Sequence, residues 1–245
     1  MVKYLPDDGL RLMIYDTSDS SRSLKDLRKS LPQDHFVNKT FHGIDDVLPG
    51  DLEEIDITAP VGLSHMWTAG GRLYRWLRWL DVCKGFSTWT SALEWLATYA
   101  PTRRISSIQY WGHGSPGRAW MLKDREYLRA SSPMTGPYAD YLQAIKARLT
   151  PQSLIWFRCC SVFCGLRGQD FALTWANQME CRIAAHTYTI GAWQSGLHTI
   201  APGGIPSWDP MEGVKRGTPD RVLETKWSKR TEPNTVFMLT GRTPQ

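Results

Sequence analysis

The sequence predicts an α/β protein in which a mostly parallel sheet is covered by helices on both faces. Apolar segments typical of buried strands alternate with amphipathic helical segments, and the strand segments are continuously apolar. Neither an internal repeat nor a clear linker divides the 245 residues, and 42% of them are hydrophobic, which is enough for a sizeable core. We therefore expect one three-layer α/β/α sandwich over residues 1–245.

The first half of the chain contains two predicted strands and three predicted helices. A strand over 11–19 ends in polar turn residues, and a serine can cap the helix predicted over 20–31. A second apolar strand is predicted over 53–62. Tryptophan and leucine at helical spacing predict helices over 69–80 and 88–100, with the tryptophans packed as core.

The second half of the chain continues the alternation and ends in a region of weak periodicity. The elements predicted here are strands over 105–114, 117–122, 153–160, 181–188 and 234–241 and helices over 138–149 and 169–179. Residues 190–230 are rich in Gly, Pro and Trp. A segment of this length is too long for an idle connection, so we expect it to form a loop-rich specificity region.

The charge and hydropathy of the chain exclude several classes of protein. The net charge of +5 is modest, and the basic triplet Arg72, Arg75 and Arg78 is interpreted as a solvated helix face. With no zinc-finger or RRM-type signature, we expect no nucleic-acid partner. No segment has the length and apolarity of a membrane span, and the N-terminus lacks a signal-peptide core. The expectation is a cytoplasmic protein without membrane contact, with export by a signal-independent route left open.

The cysteines do not indicate a disulfide framework. Their number is odd and there is no secretory context, so a reduced set, buried or catalytic, is expected. The five are Cys83, Cys159, Cys160, Cys164 and Cys181.

Two predicted strands end in side chains that can react with each other. The strand IQYWGHG ends at His113, and the strand LIWFRCC ends at Cys159 and Cys160. Ligands of open parallel sheets bind beyond the carboxyl ends of the strands, so neighbouring strands would bring an imidazole and a thiol to one edge. The imidazole can take the thiol proton and make a nucleophile. The backbone amides of Gly114 and Cys160 are the suggested oxyanion hole.

The segments YWGHGSPGRAW and IWFRCCSVFCGLRGQDFALTWANQMECRIAAHT resemble the caspase-like cysteine peptidases. They are most similar to bacterial caspase-like domains with a His-Gly-Ser-x-Gly strand end, and the resemblance covers about residues 104–190. His113 precedes Cys160 by 160 − 113 = 47 residues, close to the separation of about 50 in caspases. The caspase pentapeptide is absent, so the chain is not a true caspase. Papain-like enzymes place the cysteine first, which argues against them.

The resemblance implies a caspase-like fold and a cysteine endopeptidase that cleaves a protein or peptide through a thioester acyl-enzyme. Cys160 matches the nucleophile, His113 the general base or acid, and Cys159 a position where a small residue is usual. Cys159 remains the alternative nucleophile. No cofactor or metal is expected, and a regulatory protein partner is possible by analogy with the family.

The residues that line the substrate pocket are less well indicated. Candidates in the segment after the Cys strand are Trp193, Trp208 and Asp209. An acidic Asp209 would favour a basic P1 residue and the tryptophans an apolar one, and the sequence leaves both preferences open. Ser64 follows a predicted strand and is a candidate to border the pocket. A serine hydrolase is rejected because GLSHM lacks the second glycine of a nucleophile elbow.

Two other functions remain open at this stage. One is a catalytically inactive caspase-like interaction module that uses its Trp-rich loops for docking. The other is a zinc-binding α/β protein with Cys159, Cys160, Cys164 and His113 as ligands, although adjacent cysteines on a strand diverge.

Overall fold

A six-stranded mixed sheet forms the centre of the protein in a computed structural model that describes residues 9–19, 63–123 and 126–238. The helix predicted over 20–31 and the strand predicted over 53–62 lie outside the described residues.

The described elements are thirteen strands and four helices. The strands are β1 (Leu10–Asp16), β2 (Val82–Phe86), β3 (Ile105–Trp111), β4 (His113–Ser115), β5 (Arg118–Met121), β6 (Glu126–Leu128), β7 (Leu154–Arg158), β8 (Arg182–His186), β9 (Trp193–Gln194), β10 (Leu197–Ile200), β11 (Val214–Gly217), β12 (Val222–Thr225) and β13 (Val236–Phe237). The helices are α1 (Leu63–Trp76), α2 (Trp89–Thr98), α3 (Ala139–Lys146) and α4 (Gly165–Met179).

The strand order of the main sheet is β10-β8-β7-β3-β1-β2. All neighbours are parallel except β10, which runs antiparallel to β8. The chain passes from β1 to β2 on one side and then to β3 on the other side of β1, so the winding direction reverses between β1 and β3. In open α/β sheets, the ligand crevice lies at such a reversal, beyond the carboxyl ends of the strands.

Apolar side chains cover both faces of the main sheet. The larger core lies on the face that carries Ile14 and Phe157 and includes residues of α2, α3 and α4. The opposite face carries Met13 and Trp111, against which Tyr74 of α1 packs. Strand side chains alternate between the two faces, which accounts for this division. The prediction of an α/β fold with a mostly parallel sheet is confirmed.

Helix α1 starts and ends earlier than the sequence predicted. It covers Leu63–Trp76 and contains the adjacent glycines Gly70 and Gly71. A Cβ atom at Gly70 would lie 2.8 Å from the Trp111 ring, and one at Gly71 would lie 2.2 Å from the Cys83 Sγ atom. The glycines therefore allow close packing of the helix on the sheet, although glycine weakens a helix when judged by propensity alone.

Several short strands were not predicted from the sequence. Strand β2 was missed because it is a half-exposed sheet edge that contains a lysine and a glycine. Residues 190–230 contain four short strands, β9 to β12, rather than loop alone. The strand predicted over 234–241 is only two residues long within the described part of the chain. None of the helices α1 to α4 is long and apolar enough to cross a bilayer.

A buried arginine after α3 holds the C-terminal end of α2. The Arg148 guanidinium donates hydrogen bonds of 2.7 to 3.0 Å to the carbonyl oxygens of Leu96, Tyr99, Ala100 and Arg103. The last carbonyls of a helix have no partner within the helix, so one side chain satisfies acceptors that would otherwise be left unpaired. The guanidinium is suited to this role because its donors point in fixed directions.

We predict that Arg148→Lys destabilises the protein although it keeps the charge. An ammonium group cannot reach four separated carbonyls, so we expect the free energy of unfolding to fall by about 2 kcal/mol. Urea denaturation of both proteins measures the difference. The exposed Arg104 provides the control, and Arg104→Lys should change stability by less than about 0.5 kcal/mol. An equal loss in both variants would show that Arg148 has no special role.

Candidate active site

Three neighbouring strands of the main sheet lead to polar side chains at one edge. Asp19 follows β1, His113 follows β3 and Cys160 follows β7. The last paired residues of β3 and β7 are Trp111 and Arg158, and His113 and Cys160 each lie two residues further along the chain. Because adjacent strands are about 4.8 Å apart, this register directs the imidazole-bearing and thiol-bearing residues to neighbouring positions on one face.

The His113 ring is enclosed by one acidic and two aromatic side chains. Its Nε2 atom lies 3.0 Å from Oδ2 of Asp19. The angle between the two groups does not satisfy hydrogen-bond geometry, so the contact is an electrostatic one. The ring stacks on Trp120 with centroids 4.7 Å apart and meets the edge of Trp67 at 5.5 Å. With Nε2 facing the carboxylate, Nδ1 is the nitrogen left to exchange a proton with a nucleophile.

Asp19 is a buried carboxylate whose nearest charge partner among the described residues is His113. Its side chain is 1% exposed, and neither carboxylate oxygen accepts a hydrogen bond from another described residue. Burying a carboxylate that accepts no hydrogen bond is costly, and the 3.0 Å contact with His113 is the interaction among the described residues that offsets this cost. The Ser64 hydroxyl donates a 3.0 Å hydrogen bond to the Asp19 carbonyl oxygen, which ties α1 to this segment.

Tyr110 fixes the turn that presents His113. Its buried hydroxyl donates a 2.6 Å hydrogen bond to the Trp120 carbonyl oxygen on the opposite strand of the β4–β5 hairpin. A Cβ atom at Gly112 would lie 2.1 Å from this hydroxyl oxygen, so only glycine fits there. Burial raises the pKa of Tyr110 well above its ordinary value, which keeps the hydroxyl protonated as a donor.

The two adjacent cysteines occupy different environments. Cys159 is 1% exposed and belongs to the larger core, whereas Cys160 lies in the turn after β7 and is half-buried. The Cys160 thiol donates a 3.9 Å hydrogen bond to the Ile190 carbonyl oxygen. Burial raises the pKa of Cys160, and the contact with the backbone of Ile190 only partly opposes this shift. The resting thiol is therefore protonated, and a reaction at this sulfur needs a base.

The β4–β5 hairpin packs directly on the turn that follows β7. A Cβ atom at Gly114 would lie 2.4 Å from the Cys160 carbonyl oxygen and 2.9 Å from Cys159 Sγ. The Gly117 N–H group donates a 3.0 Å hydrogen bond to the Val162 carbonyl oxygen. Ser161 has φ of 49°, a left-handed conformation that bends the chain sharply after Cys160. These contacts hold the segments of His113 and Cys160 together.

The predicted pocket residues lie in three different settings. Trp193 on β9 packs its ring 5.0 Å from Phe237 and follows the Ile190 segment that contacts Cys160. Trp208 is 6% exposed and donates from Nε1 to the Phe163 carbonyl oxygen, so it belongs to the core. Asp209 is exposed, and its carboxylate accepts a 2.8 Å hydrogen bond from the backbone of a turn two residues on. These contacts favour structural roles for Trp208 and Asp209.

Arg158 was not singled out from the sequence, although it is a charged residue in an apolar strand. It is 3% exposed, and its guanidinium lies 4.5 Å from the ring centroids of both Trp111 and Trp156. It donates hydrogen bonds of 2.7 Å to the Gln194 side chain and to the Tyr74 hydroxyl. Burial lowers its pKa, and the surrounding acceptors and rings stabilise the remaining charge.

His186 at the end of β8 is a buried neutral imidazole. Its Nδ1 atom lies 3.1 Å from the Ser195 carbonyl oxygen, which assigns the proton to Nδ1, and its Nε2 atom has no hydrogen-bond partner among the described residues. Burial lowers the pKa of His186 to about 3, and the nearby cation of Arg158 adds to the shift. His186 therefore carries no charge near neutral pH.

The sequence signal for the remaining site residues was weak or absent. Asp19, Trp67, Trp120 and Tyr110 were missed because their roles depend on contacts between distant segments.

The zinc alternative is not assembled in the structure: within residues 9–19, 63–123 and 126–238, no group of three or more His, Cys, Asp and Glu side chains is placed to hold a metal ion.

Comparison of the chain with protein-family models, with curated proteins and with solved structures gives no match.

We predict that His186 makes stability depend on pH. Its pKa is about 3 when folded and 6.5 when unfolded, so between these values only the unfolded chain binds the proton. Stability should therefore fall as the pH drops through this window, by up to about 1.4 kcal/mol per pH unit. His186→Asn should flatten the pH dependence measured by urea denaturation, and the exposed His65→Asn should leave it unchanged. Parallel curves for wild type and His186→Asn would contradict this account.

Proposed function

We propose that this protein is a cysteine endopeptidase of the caspase-like type, with Cys160 as nucleophile and His113 as general base and acid. The observation that carries the proposal is the register of the adjacent parallel strands β3 and β7. Their last paired residues are Trp111 and Arg158, and His113 and Cys160 each lie two residues beyond that pair. The six-stranded mixed sheet with helices on both faces supports the caspase-like sandwich that the sequence resemblance implies. The expected substrate is a protein or peptide, and a regulatory partner remains a prediction.

The proposed reaction follows from the groups at the site. His113 takes the Cys160 proton as the sulfur attacks the peptide carbonyl, and the Asp19 carboxylate stabilises the imidazolium that forms. The suggested oxyanion hole is formed by the backbone amides of Gly114 and Cys160. His113 then protonates the leaving amine as the C–N bond breaks and a thioester remains. Water, deprotonated by His113, hydrolyses the thioester and restores the thiol.

One observation favours the alternative of a catalytically inactive interaction module. Burial raises the pKa of the Cys160 thiol, which also donates to the Ile190 carbonyl oxygen. A peptidase of this design depends on His113 to deprotonate the sulfur, because a preformed thiolate is absent near neutral pH. An inactive module would keep the same fold and show no turnover.

A peptide-library cleavage screen tests the proposed nucleophile. Cys160→Ala should abolish cleavage, because alanine cannot form the acyl-enzyme. Cys159→Ala should retain cleavage, because the Cys159 sulfur lies in the larger core. Mass spectrometry of the products measures both. Cleavage that survives in Cys160→Ala and disappears in Cys159→Ala would assign the nucleophile to Cys159, and equal cleavage by all three proteins would remove the peptidase assignment.

The contact between Asp19 and His113 predicts a separate effect on turnover. Asp19→Asn keeps the shape but removes the charge, so kcat should fall by about a hundredfold or more while KM changes little. Steady-state kinetics on a peptide identified in the screen measures both constants. The exposed Asp140→Asn is the matched control and should leave them unchanged. A similar kcat in Asp19→Asn and wild type would exclude a role for the carboxylate in orienting His113.

A further inference from the structure

The outer side of helix α1 carries a line of apolar side chains that remain in contact with solvent. Met66, Ala69, Leu73 and Trp76 follow one another at intervals of three and four residues, so they lie along one side of the helix. Trp76 is 69% exposed and Met66 is 37% exposed, whereas the opposite side of α1, with Tyr74, is buried on the sheet. We call these four apolar residues the α1 stripe.

The spacing of the α1 stripe is that of a contact between two helices. Apolar residues at alternating intervals of three and four form the a and d positions of a heptad, a narrow strip that packs against a second helix. From Met66 to Trp76 the helix rises by about 15 Å, which is nearly three turns. A lipid surface is bound by a broader apolar face, and a phosphate backbone would leave Met66 and Leu73 uncovered. The stripe therefore favours a helix as its partner.

The charges beside the α1 stripe indicate the chemistry of that partner. Arg72 and Arg75 are exposed next to the stripe, Arg78 lies two residues beyond the helix, and none of the three forms an ion pair with a described residue. Residues 63–80 contain no Asp or Glu, and the next acidic residue, Asp81, is already paired elsewhere. Carboxylates on a partner helix would interact favourably with these guanidiniums. A second copy of α1 would bring the same arginines and no carboxylate for them.

Helix α1 also contacts the candidate active site from its inner side. Ser64 donates its hydrogen bond to the Asp19 carbonyl oxygen, and the Trp67 ring meets the His113 ring edge to face. A partner on the α1 stripe would therefore bind the same helix that contacts the Asp19 and His113 segments.

We propose that the α1 stripe is the docking site for an amphipathic helix of another protein, with acidic residues beside its apolar side. The inference does not depend on catalysis, because a peptidase and an inactive module would present the same helix. Trp76 is the main anchor, since a large exposed indole buries the most apolar surface when a partner covers it. The arginines orient the partner and discriminate against helices with basic flanks.

Binding of a designed helix tests the anchor. The probe is a fluorescent peptide of about three heptads, with Leu at a and d and Glu at the flanking positions. The protein is Cys160→Ala, so that a peptidase would not consume the probe. Fluorescence anisotropy should show that adding Trp76→Ala weakens binding about tenfold or more, whereas adding Leu223→Ala, which removes an exposed leucine on β12, leaves it unchanged. Circular dichroism verifies that both variants are folded.

The same assay tests the arginines. Adding Arg72→Gln and Arg75→Gln should weaken binding several-fold at low ionic strength, because two charge contacts are lost. Adding Arg104→Gln and Arg230→Gln, which removes the same charge from exposed positions elsewhere, should leave binding unchanged. A probe with Lys in place of Glu should bind much more weakly, and a probe with Gln in place of Leu should not bind.

The remaining outcomes contradict the proposal or name another occupant. No binding of the Glu probe, equal loss in the Trp76 and Leu223 variants, or equal binding of the Glu and Lys probes would overturn it. Anionic lipid vesicles that bind through Trp76 when the probe does not would assign the stripe to a membrane. A dimer in analytical ultracentrifugation that dissociates in Trp76→Ala would assign it to a second copy. Tighter binding of a peptide of the acidic residues 44–57 than of the probe would assign it to this chain itself.

Discussion

The arrangement at the sheet edge depends on the close approach of two backbone segments. The β4–β5 hairpin lies so near the turn after β7 that a Cβ atom at Gly114 would overlap the Cys160 carbonyl oxygen at 2.4 Å. Gly112 allows a similarly close approach to the Tyr110 hydroxyl. That hydroxyl donates a hydrogen bond to the Trp120 carbonyl oxygen and so holds the hairpin in place. Without these glycines His113 would be displaced from the neighbouring strand end. The relative position of imidazole and thiol is therefore fixed by steric constraints on the backbone, not by a direct bond between the side chains.

Buried charge accounts for how the rest of the site is organised. Asp19 and Arg158 are both almost fully buried, on either side of the strand that leads to His113. Asp19 is positioned to stabilise positive charge on the imidazole, whereas Arg158 is held by neutral acceptors and by the Trp111 and Trp156 rings. In a low-dielectric interior such interactions are stronger than at the surface, but removing one partner leaves an uncompensated charge. The site is consequently costly to assemble, which is typical of positions retained for chemistry.

The sequence predicted the features that depend on local pattern and missed those that depend on distant contacts. Continuous apolar strands and helical periodicity were sufficient for the mostly parallel sheet and for the two strand ends that carry His113 and Cys160. Asp19 gave no signal, because an aspartate after a strand is indistinguishable from an ordinary turn residue until His113 is seen 3.0 Å away. Trp208 shows a second limit: a tryptophan in a Gly- and Pro-rich segment was predicted to line a pocket, and its ring stacks on Phe163 in the core, a contact that the sequence pattern does not reveal.

The protonation state of the thiol connects the site to its proposed reaction. A cysteine that is activated at rest needs a cation or a helix N-terminus close to the sulfur, and these lower the thiol pKa. Cys160 has the opposite balance, because burial raises its pKa more than the contact with the backbone of Ile190 lowers it. In the proposed reaction, deprotonation accompanies attack, and the imidazolium that forms depends on the Asp19 carboxylate more than a preformed ion pair would.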